Sequence, residues 1–174
     1  MVQQDQGIEQ VLSYLRHQAS KPLPELRSLI ERTAAQCTRA LEGLPEEKAI
    51  FRPNPEEWTV LEVLGHLVLA LKEVNRLAPR LAAGETSRRQ ILVGTLGYEG
   101  ANFGELRKEL VQAWQECLAV IDSLPASPDD RATAAHPFFG PLNWREWLAF
   151  QRIHALDHVQ QIEAIKSDPR YPRA

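Results

Sequence analysis

The chain has 174 residues, and its 20 lysines and arginines against 23 aspartates and glutamates give a formal net charge of −3. This length suits a single domain that buries about two-thirds of the surface of its unfolded chain, so neither a metal nor a disulfide is needed to hold the fold together. The near balance of charge, without a block of like charges, argues against nucleic acid or a membrane surface as partner and favours a small-molecule substrate.

The first predicted element is a short amphipathic helix from about Ile8 to Gln18. We interpret residues 1–20 as an accessory helix. The N-terminus lacks the basic start, the continuous apolar core and the small-residue cleavage site of a signal peptide, and no later apolar run is long enough to span a bilayer. We therefore expect a cytoplasmic protein.

The second predicted helix begins near Pro24, where proline suits the first helical turn, and ends at Gly43. The following segment, LPEEKAIFRPNPEEW, is predicted to be an ordered loop, because a proline disfavours helix in the residue before it. Cys37 in this helix and Cys117 later in the chain lack CxxC spacing. We expect both to be reduced, partly buried packing residues, and a reactive thiol is the alternative.

Three further helices are predicted to begin at capping signals, which are TVLE at Thr59, NFGE at Asn102 and NWRE at Asn143. In such a motif the first side chain accepts a hydrogen bond from an unpaired backbone N–H, and the glutamate three residues later reaches back. The apolar seams that follow predict helices to about residues 83, 124 and 166.

Together these elements predict an all-α fold, a four-helix bundle over residues 24–167 within one domain of residues 1–174. Because the helices are joined by loops of roughly 15 to 20 residues, we expect at least one long crossover connection and no substantial sheet. The glycine-rich segment VGTLGYEGANFG follows no strand and does not spell GxGxxG. We interpret it as a flexible loop with tight turns rather than a phosphate-binding loop.

Three histidines raise the question of a metal site. His154 and His158 are four residues apart in the last predicted helix, so their side chains lie about one turn apart on one face. Such a pair arises by chance in about one chain in nine of this composition. His66 lies beside the apolar seam of the helix that begins at Thr59, where a hydrogen-bonded boundary histidine is the ordinary explanation. A shared metal would give all three buried rings a partner, but the residues alone leave both interpretations open.

Two segments carry a family resemblance: FRPNPEEWTVLEVLGHLVLAL at residues 51–71 and HPFFGPLNWREWLAFQRIHALDHVQQI at residues 136–162. Together they resemble the DinB-like superfamily of DinB/YfiT-type metal-binding four-helix bundles. In that family a tryptophan precedes the second helix, whose histidine is followed by an apolar run, and an HPxFG turn leads into a last helix with HxxxHxxQI. The chain departs from the pattern at Asp157, where relatives often have a basic residue, which concerns the ligand surroundings or the choice of substrate more than metal binding.

The resemblance implies a DinB/YfiT-like bundle in which His66, His154 and His158 bind one divalent metal ion, either zinc, nickel or iron. Glu62, one turn before His66, and Gln161, three residues after His158, are candidate hydrogen-bond partners of the ligands. For Glu62, however, we favour a surface or capping role over a role as hydrogen-bond partner of a metal ligand.

The other two histidines are left out of the ligand set. We predict that His136 fixes the HPFFG turn and that His17 is solvated on the N-terminal helix. Trp58, Trp144 and Trp147 lie near helix starts, and we expect them to pack the core rather than stack on ligands.

Three neutral imidazoles would leave a divalent ion its full charge and at least one open position, as in catalytic zinc sites. Such an ion acidifies bound water or favours a thiolate at neutral pH. Since the family includes transferases for thiols such as bacillithiol and mycothiol, the first hypothesis is a metal-dependent S-transferase or hydrolase that acts on a small electrophile, with a low-molecular-weight thiol as co-substrate. The second is a stress-related metal-binding bundle without turnover, and the third is a helical interaction module whose histidines pack. No catalytic residue or general base is named, and a homodimer formed through an exposed helix face stays open.

Overall fold

The structure is a computed structural model that describes residues 2–87 and 101–172, with side chains described from residue 7 onward. Its elements in chain order are α1 (Val2–Ala19), α2 (Leu23–Ala40), α3 (Glu46–Ala49), α4 (Val60–Ala82), α5 (Phe103–Asp122), β1 (Thr133–His136), β2 (Gly140–Asn143) and α6 (Trp144–Lys166). The predicted all-α bundle is confirmed. Most of the glycine-rich segment, residues 93–100, lies outside the described residues, so its interpretation as a loop stays a prediction.

Helices α4, α5 and α6 each begin at the predicted capping residue, which is Thr59, Asn102 and Asn143, respectively. At α4, Glu62 N donates to Thr59 Oγ1 at 3.2 Å and Thr59 N donates to the Glu62 carboxylate at 2.7 Å. The same reciprocal pair joins Asn143 and Glu146 at the start of α6. At α5 the Asn102 side chain accepts from Glu105 N, but the reciprocal half of the predicted motif, from Asn102 N to the Glu105 side chain, is not formed. Unpaired N–H groups are thereby satisfied at the start of both helices that carry the candidate ligands.

The four long helices α2, α4, α5 and α6 form the bundle, in which α4 and α2 each pack against both α5 and α6. Helices α4 and α5 run parallel, because Lys72 pairs with Glu109 and, one turn further along both helices, Asn75 Nδ2 donates to Ala113 O at 2.8 Å. The end of α4 and the start of α5 therefore lie at opposite ends of the bundle, which is the arrangement that the predicted long crossover requires.

The apolar seams meet in one core, which includes Leu64, Leu67 and Leu71 of α4 and both tryptophans of the first turn of α6. Cys37 and Cys117 are free and buried there. Burial raises the pKa of both thiols to about 12, so they are protonated and unreactive at neutral pH. Their predicted packing role is confirmed, although they are fully rather than partly buried.

Two local features were not predicted. The segment expected to be a loop contains the one-turn helix α3, which follows Pro45. A proline disfavours helix in the residue before it, but it also suits the start of a helix. Strands β1 and β2 form a small antiparallel hairpin closed by the HPFFG turn, with His136 opposite Gly140. Gly140 has φ 71°, a left-handed conformation that glycine adopts without strain. Asn143 ends β2 and caps α6, so the hairpin leads directly into the helix with two candidate ligands.

Helix α1 lies outside the four and packs against α6, as an accessory helix. It is longer than its amphipathic stretch suggested and ends at Ala19. Within residues 2–87 and 101–172, none of the helices combines the length and hydropathy that a bilayer crossing demands.

Candidate metal centre

The bundle brings His66, His154 and His158 together. His66 Nε2 lies 2.9 Å from His154 Nε2, and His158 Nε2 lies 3.0 Å from the same atom. Each of the three rings offers one nitrogen, and these ligand atoms all lie within 4.8 Å of one another. Helix α4 supplies one ring and α6 supplies two rings from successive turns, so the centre depends on how these helices pack.

The distances fit a shared cation better than hydrogen bonds among the rings. A ring nitrogen has either one hydrogen or one lone pair, so His154 Nε2 cannot make two good hydrogen bonds to its two neighbours. Two nitrogens that each lie about 2.1 Å from one ion are about 3.0 Å apart at the right angle of octahedral coordination and about 3.4 Å apart at the tetrahedral angle. The separations of 2.9 and 3.0 Å therefore match two ligands of one ion.

Burial keeps the three rings neutral. It lowers the pKa of His66 to about 4, helped by the nearby His158, and lowers the pKa of His154 to about 2, helped by His158, His66 and His136. Burial also lowers the pKa of His158, which its hydrogen bond to Gln161 and the charge of Asp157 partly oppose. At neutral pH the rings therefore present lone pairs, the form that binds a metal ion.

Gln161 contacts a candidate ligand directly. Its Oε1 lies 2.7 Å from His158 Nδ1, which places the ring proton on Nδ1 and leaves the lone pair on Nε2 for the cluster. Glu62 faces elsewhere: its carboxylate accepts from Thr59 N and, at 2.6 Å, from Arg52 Nη2. Among the described residues, no hydrogen bond joins Glu62 to His66. The capping role that the sequence favoured for Glu62 is the one that the structure gives it.

Two aromatic side chains wall the cluster. The Trp58 ring meets the edge of the His66 ring at 5.1 Å and stacks on His158 at 6.0 Å. Phe150 stacks on His154 with the ring centres 5.2 Å apart. We predicted only core packing for Trp58, and it does pack against the core while it also contacts two candidate ligands. Phe150 was not singled out, although it lies four residues before His154 and therefore one turn away on the same face.

The two histidines left out of the ligand set lie elsewhere. His136 is 3% exposed, and its Nδ1 accepts hydrogen bonds from the backbone N–H groups of Phe138 and Phe139 at 3.2 and 3.3 Å. Its predicted role in fixing the turn is confirmed. His17 is exposed on α1. Within the described part of the chain, neither ring joins the metal-ligand group.

Comparisons with known proteins found a matching family model and a similar protein. The sequence model of the DinB superfamily matches residues 29–162, a span that includes all three histidines. The chain is also similar to an uncharacterized protein of Bacillus subtilis (strain 168), YuaE. The two are 24% identical over 156 residues, which cover 80% of this chain and 96% of that protein.

Proposed function

The chain belongs to the DinB superfamily, and from that membership we propose that it is a divalent-metal-dependent enzyme that transfers a low-molecular-weight thiol to a small electrophile. The observation that carries the proposal is the convergence of three neutral imidazoles between α4 and α6, where Nε2 of His66 and Nε2 of His158 lie 2.9 and 3.0 Å from His154 Nε2.

The ligand set determines what a bound ion can do. Three neutral ligands leave a divalent ion its full positive charge and at least one free coordination position. Such an ion supplies a charge that favours a thiolate over a thiol at neutral pH. Zinc, nickel and iron all accept imidazole, and affinity order alone does not select one of them.

The residues around the cluster have supporting tasks. His66, His154 and His158 would hold the ion between α4 and α6, and Gln161 orients the His158 ring. Trp58 and Phe150 cover ring faces of the cluster and keep water from them. Apolar walls lower the local dielectric constant, which strengthens the attraction between the ion and an anionic sulfur.

Thiol transfer suits this site better than hydrolysis. Hydrolysis of an unreactive bond is helped by a general base, and among the described residues the group that could hold a metal consists of three histidines without a carboxylate. The Glu62 carboxylate is committed to Arg52 and to the cap of α4. A thiol that has already lost its proton to solvent needs no base: its sulfur bonds to the electrophilic carbon while the leaving group departs with its electron pair and takes up a proton.

The test compares a free thiol with its S-methylated analogue. Zinc-loaded protein is titrated calorimetrically with bacillithiol or mycothiol and with the S-methyl form of each. We expect the free thiol to bind at least about tenfold more tightly and to release a proton, because only the free thiol can ionise. The metal-free protein should lose this preference.

Equal affinities for the free and the methylated thiol would contradict the transferase. Turnover is then assayed with a small electrophilic acceptor, with thiol and with water alone. Consumption of the acceptor only in the presence of thiol supports transfer, whereas consumption by water alone would make the protein a hydrolase. Metal binding without either reaction would leave a metal-binding bundle without turnover.

A further inference from the structure

The side-chain amide of Gln151, close to the candidate metal centre on α6, is buried without a hydrogen-bond partner among the described residues. It lies on α6, three residues before His154, and is 1% exposed. In the described residues, neither its Oε1 nor its Nε2 has a hydrogen-bond partner. The same is true of His154 Nδ1. Buried polar atoms are almost always hydrogen-bonded, so unpaired atoms on two neighbouring side chains require an explanation.

The two unpaired groups are complementary when His154 binds a metal ion. Its Nε2 faces the other two histidines and would then carry the lone pair. An imidazole that binds a metal ion through Nε2 is neutral, so its single proton must lie on Nδ1, which becomes a hydrogen-bond donor. The Oε1 atom of Gln151 is an acceptor.

The other unpaired buried groups on the hairpin and the first half of α6 cannot accept a hydrogen bond from His154 Nδ1–H. His136 Nδ1 accepts two backbone N–H groups, so the ring proton lies on His136 Nε2, which is a donor like Nε1 of Trp147. Both donate, as does the guanidinium of Arg152, whose Nε and Nη1 are also unpaired, and His154 Nδ1–H needs an acceptor. Within this group of unpaired atoms on the hairpin and the first half of α6, Gln151 Oε1 is the acceptor. An amide oxygen has two lone pairs, so it can accept from a second donor as well.

The required contact is within reach. On the same helix, the glutamine and histidine at positions 161 and 158 are also three residues apart, and they make this contact at 2.7 Å. Helical side chains tilt towards the N-terminus, so His154 leans back towards Gln151 just as Gln161 leans back towards His158. Because residues three apart on a helix are neighbours on one face, the contact calls for rotation about the side-chain bonds of Gln151 and for no change in the backbone.

We propose that Gln151 is a positioning residue of the metal centre, whose Oε1 accepts a hydrogen bond from Nδ1–H of His154 and so fixes the proton and the orientation of that ring. Both histidines of α6 then have a glutamine partner, Gln151 for His154 and Gln161 for His158. The proposal rests on the metal site of the proposed function and is independent of the thiol chemistry.

The experiment measures the zinc affinity of three variants by competition with a chromophoric chelator. Gln151→Leu removes the acceptor and should weaken zinc binding by about 10- to 100-fold, the usual cost of losing such a partner. Gln151→Glu keeps an acceptor oxygen and should restore affinity to within a few fold of the unsubstituted protein. Gln18→Leu is the matched control, because Gln18 is also buried but lies on α1, which contributes no residue to the cluster. It should bind zinc normally.

A second measurement does not depend on any variant folding. In the zinc-loaded, ¹⁵N-labelled protein, His154 should carry its proton on Nδ1, and that proton should show a nuclear Overhauser contact to the side-chain amide of Gln151. A His154 Nδ1 proton without this contact would overturn the proposal.

The outcomes separate this proposal from the proposed function. If the unsubstituted protein binds no zinc, the metal-dependent function fails and the proposal fails with it. If the protein binds zinc and Gln151→Leu binds it equally well, only the positioning role is refuted. Equal losses in Gln151→Leu and Gln151→Glu would assign Gln151 a packing role and would also refute it.

Discussion

His66 on α4 and His154 on α6 are separated by 88 residues in the chain, and their Nε2 atoms lie 2.9 Å apart. His158 joins them from the next turn of α6. The helix with two histidines therefore cannot form the centre alone, and the tertiary packing of α4 against α6 supplies the third ligand. This dependence on the bundle leads to the first prediction.

Replacing any one of His66, His154 and His158 with alanine should remove most of the metal content. Two imidazoles cannot provide the set of three that the bundle creates. The fold should survive in each variant, because the apolar seams of four long helices stabilise it. Zinc at one hundred times its dissociation constant should stabilise the unsubstituted protein by about 2.7 kcal/mol and raise its melting temperature. The variants should show little of this shift.

The remaining two histidines serve as controls for that experiment. His17→Ala and His136→Ala should keep their metal, because neither ring belongs to the cluster. His136→Ala should loosen the HPFFG turn through the loss of an acceptor for two N–H groups. Full metal occupancy in His66→Ala would refute the shared centre. The spacing of His154 and His158 would then be explained by chance.

Gln161 provides the second prediction. Because its Oε1 fixes the proton of His158 on Nδ1, Gln161→Leu should weaken zinc binding by about 10- to 100-fold. Gln160→Leu is the matched control, since Gln160 is the preceding residue on the same helix and is exposed. Chelator competition on both variants decides the matter, and equal affinities would show that the contact has no part in metal binding.

The candidate ligands were predictable because each belongs to a short pattern. His66 follows the TVLE cap by two turns, and HALDH places two rings on one helical face, so the family resemblance could align them. The contacts of Trp58 with His66 and His158 were not predictable, because they depend on how α4 and α6 approach each other. Phe150 lies on α6 itself, one turn before His154, so spacing alone places the two rings side by side. It was missed because an aromatic residue at that spacing looks like an ordinary core residue.

The same limit explains the two elements that the sequence did not predict. β1 and β2 pair four residues each, TAAH with GPLN, and such short strands show no alternation of apolar and polar residues. The hairpin depends on the turn between the strands, in which His136 Nδ1 accepts a backbone N–H and Gly140 adopts a positive φ. Neither feature leaves a periodic pattern in the sequence. Helix α3 is likewise one turn long, too short for a periodic pattern.

The third prediction concerns Glu62. Its carboxylate caps α4 and pairs with Arg52, so Glu62→Ala should lower the free energy of unfolding by about 1 kcal/mol. Zinc affinity should not change, because these contacts lead away from His66. Glu56→Ala, at an exposed position just before the cap, should leave both quantities unchanged. Urea unfolding and chelator competition measure the two effects, and a large loss of zinc affinity in Glu62→Ala would instead make this carboxylate a partner of the metal centre.

The last prediction is a pH dependence caused by His136. Burial lowers the pKa of this ring from its ordinary value of 6.5 to about 4. Between those two values the unfolded chain binds a proton that the folded protein does not, so folding stability decreases as the pH falls. The contribution is fully present above pH 6.5 and is lost towards pH 4, at about 1.4 kcal/mol per pH unit for one such group.

His136→Asn isolates this effect, because an asparagine oxygen can accept the two turn N–H groups in place of Nδ1 but does not titrate. In urea unfolding of the metal-free protein between pH 6.5 and 4.5, its stability should fall less steeply than that of the unsubstituted protein, by at most about 1.4 kcal/mol per pH unit. Phe138→Ala changes an exposed residue of the same turn and should keep the original slope. Identical slopes for His136→Asn and the unsubstituted protein would mean that His136 protonates in the folded state as easily as in the unfolded chain, which its burial against Phe139, Trp147 and Phe150 should prevent.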